Sequence, residues 1–177
     1  RGDRMEQSVS VDVLVNPTPQ VRAPKERPPP HSHSLQPFGG TDGLTPWEVF
    51  DVIRTIRDPE HPYSLEELSV VDDAWISFVA PNVVRVRFNP TVPQCSLAST
   101  IGLCLRVKLE RYLGLAHKVD IFVEEDAHET PEEVNKKIND KERVAAAMEV
   151  PELKALVERC IQEEVSDGAP LAGPLTM

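Results

Sequence analysis

Apolar residues recur at helical spacing in some stretches of this chain and alternate with polar ones in others. Thr45-Pro46-Trp47-Glu48 has the form of a helix capping box with proline at the first helical position, and Val49, Val52, Ile53 and Ile56 follow at helical intervals. Asp58-Pro59 stops that helix, because proline disfavours helical geometry in the residue before it. Ser64-Leu65-Glu66-Glu67 repeats the capping pattern and predicts a short turn of helix. Val70 to Val79 reads as a strand containing Trp75 and Ile76. After the turn at Ala80-Pro81-Asn82, Val84, Val86 and Phe88 alternate with Arg85 and Arg87, which makes a hairpin with one wet face.

Asn89 to Ser96 leaves no room for regular pairing. It feeds a helix whose apolar stripe is Leu97, Ile101, Leu105 and Leu109, ending near Gly114. Val119, Ile121 and Val123 alternate as a third strand. Thr130-Pro131-Glu132-Glu133 is a further capping box, opening one helix that runs through Val134, Ile138 and the Ala145-Ala146-Ala147 run. A last helix starts at Pro151 and turns Leu153, Leu156, Val157, Cys160 and Ile161 inward. The predicted order is α-β-β-α-β-α-α: a small single α+β domain, a three-stranded sheet with helices packed mainly on one face.

Composition sets the limits of that domain. Seven of the 17 prolines fall in the first 40 of 177 residues, so residues 1–43 are expected to be a disordered, Pro-rich tail. The alternating run Val9 to Val15 stands isolated inside it, and Met5 reads as the native start. Residues 44–165 form the expected domain and 166–177 a second flexible tail. A net charge of −10 opposes direct contact with a phosphate backbone, so no nucleic-acid binding is expected. No stretch approaches the roughly 18 apolar residues of a membrane span, and no secretory signal pattern opens the chain. Cys95, Cys104 and Cys160 are an odd set without CxxC spacing, which points to a reducing compartment, the cytoplasm and also the nucleus.

Cys95 is the most informative of the three. It lies just ahead of a well-patterned helix, where unpaired amides and the positive end of the helix dipole favour thiolate, the form that attacks electrophiles and ligates metals. The competing reading is a small buried hydrophobe. Cys104 and Cys160 lie on apolar stripes and read as core. Asp58, Glu60 and His61 share a loop fixed by Pro59 and Pro62. That loop can present acid and imidazole to a metal or thiol, or Asp58 can simply bond local backbone. His31 and His33 are weak metal candidates in the tail; Glu124-Glu125-Asp126 reads as a solvated strand end, and Asn135 to Arg143 as an exposed face of alternating charge. GxGxxG, GxxxxGK[ST], HExxH and GxSxG are all missing. A pairing of Cys95 with His61, His117 or His128 stays open, whereas a lone cysteine cannot hold a four-thiolate cluster.

Several blocks together resemble the cytosolic iron–sulfur assembly component two family, also called the MIP-eighteen family. They are Asp58-Pro59-Glu60-His61-Pro62, Ser64-Leu65-Glu66-Glu67-Leu68, Thr91-Val92-Pro93-Gln94-Cys95-Ser96-Leu97-Ala98, Ile101-Gly102-Leu103, Val134-Asn135-Lys136 and Asp140 to Ala147, in order from about Trp47 to Glu163. The resemblance implies a non-enzymatic targeting subunit. With a WD-repeat β-propeller assembly protein, and a HEAT-repeat scaffold, such a subunit delivers clusters to cytosolic and nuclear apoproteins. It maps the family's reactive or cluster-linked cysteine, the one metal candidate, onto Cys95, with Asp58, Glu60 and Thr91 as the surrounding pocket. It implies no stably bound cofactor beyond a transient iron–sulfur cluster or zinc. The family commonly carries His before that cysteine; Gln94 stands here instead and removes one candidate zinc ligand. Arg54 to Pro59 and Gly102 to Leu109 look closer to the A-type branch, associated with the cytosolic aconitase/iron-regulatory protein, than to the B-type, which serves many clients. The alternative from another class is a cysteine-dependent thiol-redox enzyme.

Overall fold

A computed structural model describes residues 19–26, 43–90, 95–124 and 130–162, with Cys95 and Ser96 described by backbone alone. The first helix, α1 (Pro46–Ile53), starts as its capping box requires. Thr45 Oγ1 accepts from the Glu48 amide at 3.3 Å, and Glu48 Oε2 accepts from the Thr45 amide at 2.8 Å. Trp47, Val49, Phe50 and Ile53 are buried from it. The second box also closes, with Ser64 N donating to Glu67 Oε2 at 2.7 Å and Glu67 N to Ser64 Oγ at 3.2 Å. It yields a single turn, because Ser69 takes a left-handed φ of 56° and turns the chain away.

The first strand is shorter than the run of apolar residues foretold. Asp72 caps a three-residue 3₁₀ turn, Asp73–Trp75, and β1 spans only Ile76–Ala80. Val70 and Val71 are buried ahead of it without joining the sheet. Asn82, at φ 62°, turns β1 into its antiparallel neighbour β2 (Val83–Phe88), with Ile76 opposite Val86 and Phe78 opposite Val84. Helix α2 (Cys95–Leu113) then carries the chain over to β3 (Lys118–Val123), which pairs with β2 in parallel, Val84 opposite Val119 and Phe88 opposite Val123. The sheet order is β1-β2-β3. Its buried face carries Ile76, Phe78, Val84, Val86, Phe88, Val119, Ile121 and Val123 under the helices, and Val79 and Arg87 on the other face are exposed.

The single helix expected over residues 130–147 is two. α3 (Pro131–Asn139) ends where the Asp140 carboxylate accepts from the amides of Glu142 and Arg143 and so starts α4 (Lys141–Glu149). Pro151 opens α5 (Pro151–Ile161), so the described residues hold five helices, one more than the sequence pattern indicated. The charged run along α3 and α4 is not wholly an exposed face. Asn135 Oδ1 accepts from Val123 N at 2.8 Å, and Asn139 exchanges two bonds with Ile121, its Oδ1 accepting from N at 3.0 Å and its Nδ2 donating to O at 2.6 Å. These amides satisfy the outer edge of β3. The buried Arg106 braces the junction, its guanidinium donating to the carbonyls of Ile138 and Val119 and to Asn139 Oδ1.

Residues 19–26, inside the stretch assigned to the tail, lie extended against the 64–73 loops. Arg22 N donates to Glu67 O at 2.7 Å and Lys25 N to Glu66 Oε1 at 2.6 Å, while Lys25 Nζ pairs with Asp72 and Asp73. Arg54 fastens the same strap from below, bonding Lys25 O and Glu66 Oε2.

Candidate functional site

Cys95 is the first residue of α2, so the helix begins at the cysteine rather than after it. A helix of 19 residues runs about 28 Å at 1.5 Å per residue. Its first-turn amides lack partners within the helix and carry the positive end of its dipole. Buried Leu97, Ala98, Ile101 and Leu105 clamp that opening turn to the core. Thr91, Gln94 and the Cys95 side chain lie outside the described residues, as do His31, His33 and His128.

The Asp58 loop is built by its own backbone. Asp58 Oδ1 accepts from the amides of Glu60 and His61, each at 2.9 Å, and Asp58 N donates to Tyr63 O at 2.9 Å. An isolated bridge between Arg57 and Ser64 closes the neck. Asp58 is 5 % exposed, whereas Glu60 stands in solvent at the loop's tip. The structure thus gives these two carboxylates different surroundings. Asp58 has one oxygen committed to the turn and the other, Oδ2, buried without a hydrogen-bond partner among the described residues.

Asp58 shares its electrostatic surroundings with the two cysteines read as core. Cys104 on α2 and Cys160 on α5 are both buried. The Cys160 side chain and burial push the Cys104 thiol up, and the Cys104 side chain pulls Cys160 down against the effect of burial. The Asp58 carboxylate raises both. This meeting of residues 58, 104 and 160 is not legible in the sequence, since two helices and a loop far apart in the chain form it. The readable part was only that each cysteine sits on its helix's inner stripe. His117 is half-buried, its Nε2 without a partner among the described residues, and Glu124 pairs with Arg87 at 3.5 Å. Among the described residues, no group of three or more His, Cys, Asp and Glu side chains is arranged to hold a metal ion, and no helix there is long and apolar enough to cross a membrane.

Comparison with known proteins places this geometry. A family model described as "Iron-sulfur cluster assembly protein" matches residues 47–121, from α1 to β3. The chain is 56 % identical over 123 residues to "MIP18 family protein galla-1" of Drosophila melanogaster, a match covering 66 % of this chain and 56 % of that protein. It is 46 % identical over 160 residues to "Protein AE7" of Arabidopsis thaliana, covering 87 % and 99 %. It is 46 % identical over 121 residues to "Cytosolic iron-sulfur assembly component 2B" of Mus musculus, covering 68 % and 74 %. Identity at this level, over nearly the whole of one relative and through the helix that Cys95 opens, shows that the chain belongs to the MIP18 family.

Proposed function

We propose that this protein takes part in cytosolic iron–sulfur protein assembly as a targeting adaptor, handing clusters to apoproteins and not turning over a substrate. The observation that carries this reading is the position of Cys95 at the first residue of α2, in a chain whose family model is described as an iron–sulfur cluster assembly protein. The name of the mouse relative, a cytosolic assembly component, supports a role in the cytoplasm and within an assembly complex. The finer assignments rest on the family resemblance. They are a WD-repeat β-propeller partner, a HEAT-repeat scaffold, clients such as the cytosolic aconitase/iron-regulatory protein, and a reach into the nucleus. The cluster is cargo in this scheme. Cys95 contributes one thiolate, held ionised by the helix terminus, and the remaining ligands come from a partner or client.

The test pairs folding with delivery. Cys95→Ala should keep the wild-type circular dichroism spectrum and melting temperature, while iron incorporation into an aconitase apoprotein in cells falls to the level seen without the protein. Normal incorporation in that variant would overturn the role of Cys95. Turnover of a small thiol or disulfide substrate by the purified protein, lost in Cys95→Ala, would favour a thiol-redox enzyme instead.

A further inference from the structure

The strap of residues 19–26 is exposed from Gln20 to Glu26, and its valine, Val21, is 46 % exposed. Apolar burial therefore does little to hold it. Its hold is polar and centres on Lys25. The Glu66 carboxylate accepts from Lys25 N at 2.6 Å, and the Arg54 guanidinium donates to Lys25 O at 2.7 Å. Arg54 Nε also donates to Glu66 at 2.7 Å, so one ion pair grips both polar groups of a single backbone residue. Three residues earlier, Arg22 N donates to the Glu67 carbonyl. The Lys25 ammonium meets Asp72 and Asp73 and lies 5.7 Å from the centre of the Phe50 ring. Glu66 is only 8 % exposed, and a buried carboxylate that loses a donor is costly. A buried ion pair stabilises a fold no better than apolar residues of like volume, yet this one is shaped to the N–H and C=O of an extended chain.

We propose that Arg54, Glu66, Asp72 and Asp73 form a docking site for an extended, lysine-bearing segment of a partner protein, and that residues 19–26 are its displaceable resident. Charge selects the occupant: three carboxylates against one guanidinium leave the empty site net negative, and the incoming ammonium completes it. The Arg54–Glu66 clamp touches only the backbone of Lys25, so it takes the amide and carbonyl of any extended residue, and the aspartate pair then singles out lysine. Ionic contacts at this level of exposure are weak and screened by salt, so the strap exchanges readily. Being covalently joined to the domain, it competes at an effective concentration of about millimolar, and a partner segment must outbid it. None of the four site residues lies on α2, so this surface is separate from the helix start at Cys95.

The experiment uses full-length protein carrying Lys25→Glu, which sets a carboxylate against Asp72 and Asp73 and so expels the strap. Lys25→Ala frees the site without adding charge and serves as the second variant; circular dichroism checks that both fold. The probe is a fluorescein-labelled peptide copying residues 19–26, followed by fluorescence anisotropy. It should bind both variants saturably and about tenfold more tightly than wild type, whose own strap fills the site. A peptide with alanine in place of Gln20, Val21 and Arg22 should bind about as well as the first. Alanine in place of the lysine should weaken binding by about tenfold, as should Asp73→Asn added to the Lys25→Glu protein. Failure of the peptide to bind either folded variant would overturn the proposal, as would equal affinity for the lysine and alanine peptides. Wild-type binding as tight as that of the variants would overturn the strap's role as resident. Wild-type dimerisation abolished by Lys25→Glu, read by light scattering, would assign the site to the strap of a second copy and overturn the partner. Cys95 is intact in every arm, so failure here leaves the targeting role untouched, and the delivery assay leaves this site untouched.

Discussion

Asn139→Ala removes a side chain that makes four hydrogen bonds at the end of α3. Its carbonyl accepts from Ile121 N at 3.0 Å and Arg106 Nη2 at 2.6 Å, and its amide donates to Ile121 O at 2.6 Å and Asn135 O at 2.8 Å. A net hydrogen bond contributes on the order of 1 kcal/mol, and a buried donor left without a partner costs about 1–3 kcal/mol. Arg106 keeps the carbonyls of Val119 and Ile138, so the uncompensated group is chiefly the Ile121 amide. The expected loss is about 2–4 kcal/mol in urea unfolding with an unchanged m value. That corresponds to roughly 6–12 °C in melting temperature for a domain of this size. Asn135→Ala gives up the bond to Val123 N and should cost about 1 kcal/mol. Native-state hydrogen exchange supplies the site-specific readout: Ile121 N–H should lose protection in Asn139→Ala and keep it in Asn135→Ala. A loss below 1 kcal/mol with Ile121 still protected would refute the idea that these amides close the sheet edge.

Other outcomes follow from single contacts. A methyl added at Gly102 would sit 2.8 Å from Ile138 Cγ2 and 2.9 Å from its Cδ1, so Gly102→Ala should destabilise by about 1 kcal/mol despite alanine's better helix propensity. In an Ile138→Ala background the same change should become stabilising, which a double-mutant cycle measures. Asp140→Ala should cost about 1 kcal/mol by uncapping α4, with the helical loss visible by circular dichroism. The Ser64 backbone and hydroxyl bonds hold the Glu67 carboxyl below its ordinary value of 4.5. Because the folded form has the lower pKa, this stabilisation is complete above that value and disappears as pH falls through the folded pKa. Glu67→Gln should therefore be least stable relative to wild type at neutral pH and converge with it in acid, as paired urea melts would show. Iodoacetamide at neutral pH should label Cys95 faster than Cys104 or Cys160; equal rates would place Cys95 in the core instead.

Local chemistry written in consecutive residues was enough to determine much of this fold. Thr45 and Glu48 satisfy each other's backbone, the β2 and β3 runs alternate as a one-sided sheet demands, and the α2 stripe is continuous. Those signals concern bonds and faces within a few residues, and they also located Cys95 at a helix start. The sequence pattern ran too far where a competing side chain decided the outcome. Asp72 redirects the chain into a 3₁₀ turn before β1, and Asp140 cuts one helix into two. The parallel pairing of β2 with β3, the sealing of β3 by two α3 amides and the meeting of Asp58 with Cys104 and Cys160 belong to the tertiary structure alone. Each depends on where remote segments come to rest against the sheet. That placement follows from burying the whole apolar surface at once, which no local window of the chain contains.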